Sequence, residues 1–264
     1  MPTADIYIGL MSGTSIDSID ATAMTFIEGQ LELLGSHSEA IPESLKQQII
    51  DLCQPGKDSV QLLCETDNQL GELFAEAALA LMAAESITAE QIVAIGSHGQ
   101  TIRHSPPKPD AIPYSQQIGD ANIIAARTGC KVVADFRRKD MALGGHGAPL
   151  VPAFHKTIFA DTQANRVIAN IGGISNITVL PSDGSCFGFD TGPGNLLVDA
   201  WCFKHTGNSF DDRGSWGAAG QIHAALLNQL MSHPFISQAA PKSTGREMFN
   251  LAWLEQQLKD YSLA

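Results

Sequence analysis

One hairpin signal occurs twice in this chain, and the repetition constrains the fold more than any other feature. The first copy is Tyr7-Ile8-Gly9-Leu10-Met11-Ser12-Gly13-Thr14-Ser15-Ile16-Asp17-Ser18-Ile19-Asp20-Ala21-Thr22-Ala23-Met24-Thr25-Phe26. The second is Val167-Ile168-Ala169-Asn170-Ile171-Gly172-Gly173-Ile174-Ser175-Asn176-Ile177-Thr178-Val179-Leu180. Each is an apolar run, a tight Gly/Ser/Asn segment and a second run rich in β-branched residues, the pattern of strand–turn–strand. A Gly/Ser/Thr turn offers backbone N–H groups and hydroxyls in a concave set that suits a phosphate. Any one such hairpin also reads as a plain turn. Two of them, one in each half, predict a duplicated domain that grips a polyphosphate from both sides, which points to a kinase. No G-x-x-x-x-G-K-[ST] occurs, and no G-x-G-x-x-G follows a strand to open a helix, so P-loop and Rossmann architectures are excluded.

The 264 residues suffice for two modest domains or one large one. A hydrophobic content of 44% with 17% charged residues is that of a soluble globular protein. The net charge of −12 argues against a nucleic-acid partner and requires a local basic patch for any anionic substrate. Cys53, Cys64, Cys130, Cys186 and Cys202 are dispersed without a C-x-x-C pair and read as reduced thiols of a cytoplasmic protein. No charged and apolar leader precedes the first strand, and the apolar stretch 73–84 carries Glu76 and is too short to span a bilayer, so no membrane association is expected.

Along the chain, residues 31–35 read as a third strand, and Pro42 opens a helix that Pro55-Gly56 stops. Residues 59–86 carry apolar positions at helical spacing and form one long or broken helix. A buried strand at 92–97 turns at His98-Gly99-Gln100, and Pro106, Pro107 and Pro109 mark a loop. Residues 115–128 read as a helix and 131–135 as a strand. The run Gly144-Gly145-His146-Gly147 is hinge-like, and Pro149 and Pro152 sit near the first turn of another helix. After the second hairpin come a strand at 185–189, the turn Asp190-Thr191-Gly192-Pro193-Gly194-Asn195 and a helix over 196–205. Strands lead and helices follow in each half, which gives an α/β fold rather than an all-parallel wound sheet, with domains 1–138 and 139–264.

Asp190 closes an apolar strand ahead of a glycine-rich turn, a position where α/β sheets collect ligands. Its carboxylate reads either as a general base or as an Asx-turn or N-cap for the bend. Ser12, Thr14 and Ser15 flank Gly13, whose freedom lets backbone amides approach a phosphate. Asp17 and Asp20 just beyond read as magnesium-holding through water or as solvated turn residues. Arg137-Arg138-Lys139 is the densest basic cluster and reads either as a clamp for an anion or as a solvated surface. His98 and Gln100 follow a buried strand and can reach a polar ligand. The histidines show no zinc spacing.

These motifs together resemble the anhydro-N-acetylmuramic acid kinase family. The resemblance is carried by Met11-Ser12-Gly13-Thr14-Ser15-Ile16-Asp17, Gly96-Ser97-His98-Gly99-Gln100-Thr101, Gln117-Ile118-Gly119-Asp120 and Asp135-Phe136-Arg137-Arg138-Lys139-Asp140. It continues through Gly147-Ala148-Pro149-Leu150-Val151-Pro152, Asn170-Ile171-Gly172-Gly173-Ile174-Ser175-Asn176, Gly188-Phe189-Asp190-Thr191-Gly192-Pro193-Gly194-Asn195 and Pro241-Lys242-Ser243-Thr244-Gly245-Arg246-Glu247. The resemblance implies duplicated actin-like ATPase (ribonuclease H-like) domains with a nucleotide cleft between them. It implies an ATP- and Mg2+-dependent kinase that opens 1,6-anhydro-N-acetylmuramic acid with water and phosphorylates O6. The products are N-acetylmuramic acid 6-phosphate and ADP, and the setting is peptidoglycan recycling in the cytoplasm. By the same resemblance Asp190 is the general base. Ser12, Gly13, Thr14, Ser15, Ile16, Asp17, Ser18, Ile19 and Asp20 form the first phosphate loop, with Asp17 the metal-facing residue through water. Gly172, Gly173 and Asn176 belong to the second phosphate loop. His98, Gln100, Asp120 and Arg137 form the sugar pocket, with Arg137 set against the lactyl carboxylate. Homodimerisation is implied as well.

Members of the family run on beyond the last residue here, so the resemblance also implies an incomplete second domain and weak or no activity for this chain alone. Two alternatives stand beside the kinase: another sugar or acetate kinase of the same fold, and a truncated, inactive fragment or non-catalytic nucleotide-binding module.

Overall fold

The computed structural model describes residues 5–246, 248–259 and 261. Glu247, which ends the 241–247 motif, and the last residues of both chain ends lie outside the described residues. The chain divides into two compact units, one through Gly147 and the other from Ala148.

The first unit opens on an antiparallel meander: β1 (Ile6–Ser12), β2 (Ser18–Ile27) and β3 (Gln30–Ala40). Alternation of Ile6, Ile8 and Leu10 with less buried neighbours points one face of β1 into the core, as the two-residue period of a strand requires. β3 is longer than the third strand read from the sequence, because its polar second half pairs with β2 as far as Ser18↔Ala40. Helix α1 (Glu43–Leu52) follows Pro42. Helix α2 (Val60–Ala84) is unbroken, and Ser59 Oγ caps it by accepting from the Leu62 N–H at 3.1 Å. Its apolar stripe, including Leu70, Phe74, Ala77 and Leu81, is fully buried.

β4 (Ile92–Ser97) then enters the sheet parallel to β1. A separate hairpin of β5 (Gln100–Ser105) and β6 (Tyr114–Ile118) precedes α3 (Ala121–Thr128). β7 (Val132–Val133) pairs with β4, and α4 (Phe136–Ala142) follows. The sheet order is β3-β2-β1-β4-β7. The helix expected over 115–128 is therefore half strand and half helix. Gly119 separates the two at φ +117°, a conformation that an L side chain rarely adopts, and Phe74 of α2 packs where a Cβ would stand. The strand expected over 131–135 shortens to two residues, and Asp135 turns left-handed (φ 60°) to start α4.

The second unit opens with α5 (Pro152–Phe159), whose Pro152 occupies the first helical turn. A second antiparallel meander follows: β8 (Arg166–Ile171), β9 (Ile174–Leu180) and β10 (Phe187–Pro193), in the order β10-β9-β8. Helices α6 (Asn195–Thr206), α7 (Ala224–Met231), α8 (Pro234–Ser237) and α9 (Leu251–Leu258) complete it. Buried Phe235 and Phe249 anchor an aromatic cluster with His233 and Trp253. The strand expected at 185–189 extends through Pro193, so the segment read as a turn after Asp190 is largely strand. Among the described residues no helix is long and apolar enough to cross a membrane.

Candidate functional site

In the first unit, the loop between β1 and β2 spans 13–17, because Ser12 pairs with Ile19. Inside it Ile16 N–H donates to the Gly13 carbonyl at 3.3 Å, with Ile16 left-handed and its side chain buried, and the Asp17 carbonyl accepts from Ile41 N–H at 3.0 Å. The hydroxyl-bearing Thr14 and Ser15 are thereby left on the exposed side. Ser12 is buried and donates to Gln100 Oε1 at 2.6 Å. The sequence readings for Ser12 and Gln100 thus meet at one point, although 88 positions separate them. Asp17 Oδ1 accepts from Lys46 Nζ of α1 at 2.8 Å. Asp20 lies within β2 opposite Met11, and its carboxylate accepts from the Ser18 and Ser38 hydroxyls, so it stands on the strand rather than in the loop. Ser18 begins β2, and Ile19 is buried in the core.

The basic cluster resolves once the helix register is known. Arg137 is half-buried on α4 and its Nε donates to His98 Nε2 at 3.0 Å, whereas Arg138 pairs with Asp135 in solvent and Lys139 is exposed. A guanidinium can only donate, so His98 Nε2 carries the lone pair and the ring proton sits on Nδ1. That proton is given to the Gly99 carbonyl at 2.9 Å. Burial first, and then the Arg137 charge, hold His98 below the usual imidazole range, so the ring stays neutral and orients Arg137.

Asp120 caps α3, with Oδ1 accepting from the Asn122 N–H at 2.7 Å. The turn before it is fixed from α2: Asp67 Oδ1 accepts from the Gly119 N–H at 2.6 Å, and the Asp67 carbonyl accepts from the Asp120 N–H. Burial raises the Asp67 carboxyl above its ordinary range, against the pull of that Gly119 bond. Gly71 is required here as well, because a Cβ on it would stand 3.0 Å from the Asp120 backbone. The reading from sequence missed Asp67, whose only signal is a polar residue beside Leu70 on the apolar helix.

In the second unit, Asp190 is buried within β10 and pairs across the sheet with Asn176 of β9. The register shifts between Asp190 and Gly192, a bulge that leaves Thr191 to donate its hydroxyl to the Ser175 carbonyl at 3.1 Å. Asp190 Oδ2 accepts from the Thr244 N–H at 2.9 Å, and its own N–H goes to the Lys242 carbonyl at 3.1 Å. Lys242 is itself buried. Its ammonium donates to the Phe235 and Ile236 carbonyls at 2.9 and 3.0 Å and lies over the Phe235 ring. The N-cap of α6 is Gly194, which makes no side-chain bond, so Asp190 is not that helix's cap, and its carboxylate reaches a segment 54 positions away. Thr244 and Lys242 lie in the 241–247 motif, where the sequence alone gives neither of them a role.

The Gly172-Gly173 turn sits against the start of α6. The Gly194 and Leu196 N–H groups donate to the Gly173 carbonyl and Asn195 N–H to the Gly172 carbonyl, at 2.9, 3.1 and 2.8 Å. Asn176 Oδ1 is buried and has no partner among the described residues. A group of three or more acidic, His or Cys side chains able to hold a metal is absent among the described residues.

The anhydro-N-acetylmuramic acid kinase family model matches residues 5–264. The chain is 53% identical over 257 residues to the anhydro-N-acetylmuramic acid kinase of Shewanella oneidensis, covering 97% of this chain and 69% of that protein. To the enzyme of the same name from Shewanella frigidimarina it is 52% identical over 263 residues, 99% of this chain and 70% of that one. Among solved structures, a Ppx/GppA phosphatase of Aquifex aeolicus aligns with 98% of this chain and 73% of its own at 11% identity and a TM-score of 0.40, too loose to assign a fold.

Proposed function

Because the chain belongs to the anhydro-N-acetylmuramic acid kinase family, we propose that it performs ATP-dependent opening and O6 phosphorylation of 1,6-anhydro-N-acetylmuramic acid. Water adds to C1 as the C1–O6 bond of the anhydro bridge breaks, and the freed O6 takes the γ-phosphoryl group of ATP. N-acetylmuramic acid 6-phosphate and ADP are the products. Such a reaction belongs to peptidoglycan recycling, and we place it in the cytoplasm and in a homodimer.

Asp190 is the base that takes the proton from the attacking water. The observation that carries this role is its hydrogen bond from the Thr244 N–H, which holds the carboxylate in one direction. Gly13, Thr14, Ser15, Ile16 and Asp17 form the first phosphate loop, Ser12 of β1 and Ser18, Ile19 and Asp20 of β2 frame it, and Thr14 and Ser15 on its exposed side are its contacts. Gly172, Gly173 and Asn176 carry the second, with the buried, unpartnered Asn176 Oδ1 beside the base. The meanders β1-β2-β3 and β8-β9-β10, each with its glycine turn between the first two strands, support reading the units as a duplicated, actin-like pair. Asp17 is exposed, and its Oδ1 already pairs with Lys46, so it would hold magnesium only through that ion's own water, beside phosphate oxygens. Bound there, magnesium would neutralise phosphate charge, which is most of what phosphoryl transfer asks of a site. His98, Gln100, Asp120 and Arg137 hold the sugar, with the neutral His98 setting the guanidinium toward the lactyl carboxylate.

Replacing Asp190 with Asn tests the reading. ADP release with ATP, magnesium and the anhydro sugar should fall by roughly 10²–10⁴-fold, and ring opening and phosphorylation should fall together. Phosphorylation that survives D190N, or equal ADP release with N-acetylglucosamine, would assign the chain to another reaction. A folded protein that releases no ADP in either form would make it a non-catalytic module.

A further inference from the structure

Lys242 is buried, and the proposed chemistry gives its ammonium no part. None of the ion pairs among the described residues includes it. The ammonium donates instead to the Phe235 and Ile236 carbonyls at 2.9 and 3.0 Å. It lies 4.8 Å from the centre of the Phe235 ring and 5.8 Å from that of Phe189, the neighbour of Asp190. Burying a charge is costly even where hydrogen bonds compensate it, and a well-packed apolar side chain often serves stability as well. Stability alone therefore does not account for a lysine at this position.

Both ends of the residue are tied. A helix leaves its last carbonyls without partners inside it, and in α8 the Lys242 ammonium bonds two of them. At the other end, the Lys242 carbonyl accepts the Asp190 N–H at 3.1 Å. Two positions on, the Thr244 N–H donates to Asp190 Oδ2 at 2.9 Å. α8 also packs on β10 just past the base, since Ile236 Cδ1 stands 3.1 Å from where a Cβ on Gly192 would be. One side chain thus joins α8 to the segment that bonds the Asp190 backbone and its carboxylate.

We propose that Lys242 is a positioning residue for Asp190: its ammonium anchors residues 242–244 to α8, and the anchored segment holds the Thr244 N–H on the carboxylate. The inference rests on the reading of Asp190 as the base. Lys242 acts through Thr244 and touches no substrate. Its loss should therefore misplace the base in the transition state and leave sugar binding as it was.

Lys242→Met keeps an unbranched apolar stem and removes the ammonium. Two measurements on the full chain read the result: amide hydrogen exchange at Thr244, and ADP release with ATP, magnesium and 1,6-anhydro-N-acetylmuramic acid. In the variant, Thr244 exchange should quicken by at least roughly tenfold while the β9 amides keep their protection. The kcat should fall by roughly 10²-fold at an unchanged KM. Thr244 exchange that stays at the wild-type rate, or a kcat that stays at the wild-type value, overturns the inference. Wild type that releases no ADP sinks the base reading, and the exchange result alone then upholds or overturns the anchor. Should Lys242→Met not fold, Lys242→Gln, which keeps a smaller donor, decides by the same two readouts.

Discussion

The two glycine turns share one sequence signal and form different structures. The first, between β1 and β2, carries a backbone bond from Ile16 N–H to the Gly13 carbonyl and displays Thr14 and Ser15 on its exposed side. The second, between β8 and β9, has both carbonyls bonded by three N–H groups at the start of α6. A helix N-terminus normally offers its unpaired N–H groups to an anion. Here several are already committed to the Gly172 and Gly173 carbonyls, so the second turn, beside the phosphate role proposed for it, braces β8, β9 and α6 around Asp190, and the first is the turn proposed to meet the nucleotide from its exposed side. Repetition in sequence reports a shared strand–turn–strand frame, and the neighbours of each turn decide what it does.

The sharpest way to break this contrast is to put the same methyl group into each region. At Gly194, a Cβ would meet the Gly172 carbonyl oxygen and stand 2.6 Å from Ser175 Oγ. Gly194→Ala should therefore destabilise the second unit by on the order of 3 kcal/mol, read as a fall in its denaturant midpoint. At Gly13 the nearest atom to a Cβ is Ser15 Oγ at 3.9 Å. Gly13→Ala should change stability by no more than about 0.5 kcal/mol while weakening magnesium·ATP by roughly tenfold.

Between these in size lies an acid effect carried by the first unit. His104 titrates near 4 when folded, below the ordinary imidazole value of 6.5, so the unfolded chain binds its proton first. Stability is then fully present above pH 6.5 and falls as pH drops from there toward 4. His98, also depressed, adds in the same direction. After allowance for solvent screening of a partly exposed ring, the loss is roughly 1–3 kcal/mol. Urea titrations at pH 7 and pH 5 should show it, and His104→Gln should flatten the slope.

Much of this is legible in the amino-acid sequence alone. β-branched alternation marks both hairpins, and the spacing of Leu70, Phe74, Ala77 and Leu81 marks α2. The strand β6 is not legible, because Gln116, Gln117 and Ile118 suit a helix as well as a strand, and pairing with β5 overrides that local preference. Arg137 cannot be told from Arg138 until the register of α4 turns one inward and the other out. The tie between Asp190 and Thr244 is beyond reach for a different reason: the two lie 54 positions apart, and nothing between them encodes that contact locally.

On the proposed function the first turn meets the nucleotide from its exposed side, and the start of α6, bonded to the second turn, holds the frame around Asp190. A titration of the 15N-labelled protein with magnesium·ATP tests this division of labour most directly. Saturable shifts are expected at the Gly13, Thr14 and Ser15 amides, with the Gly194, Asn195 and Leu196 amides still protected from exchange. Saturable binding that leaves Gly13, Thr14 and Ser15 unmoved while the start of α6 loses its protection would contradict it.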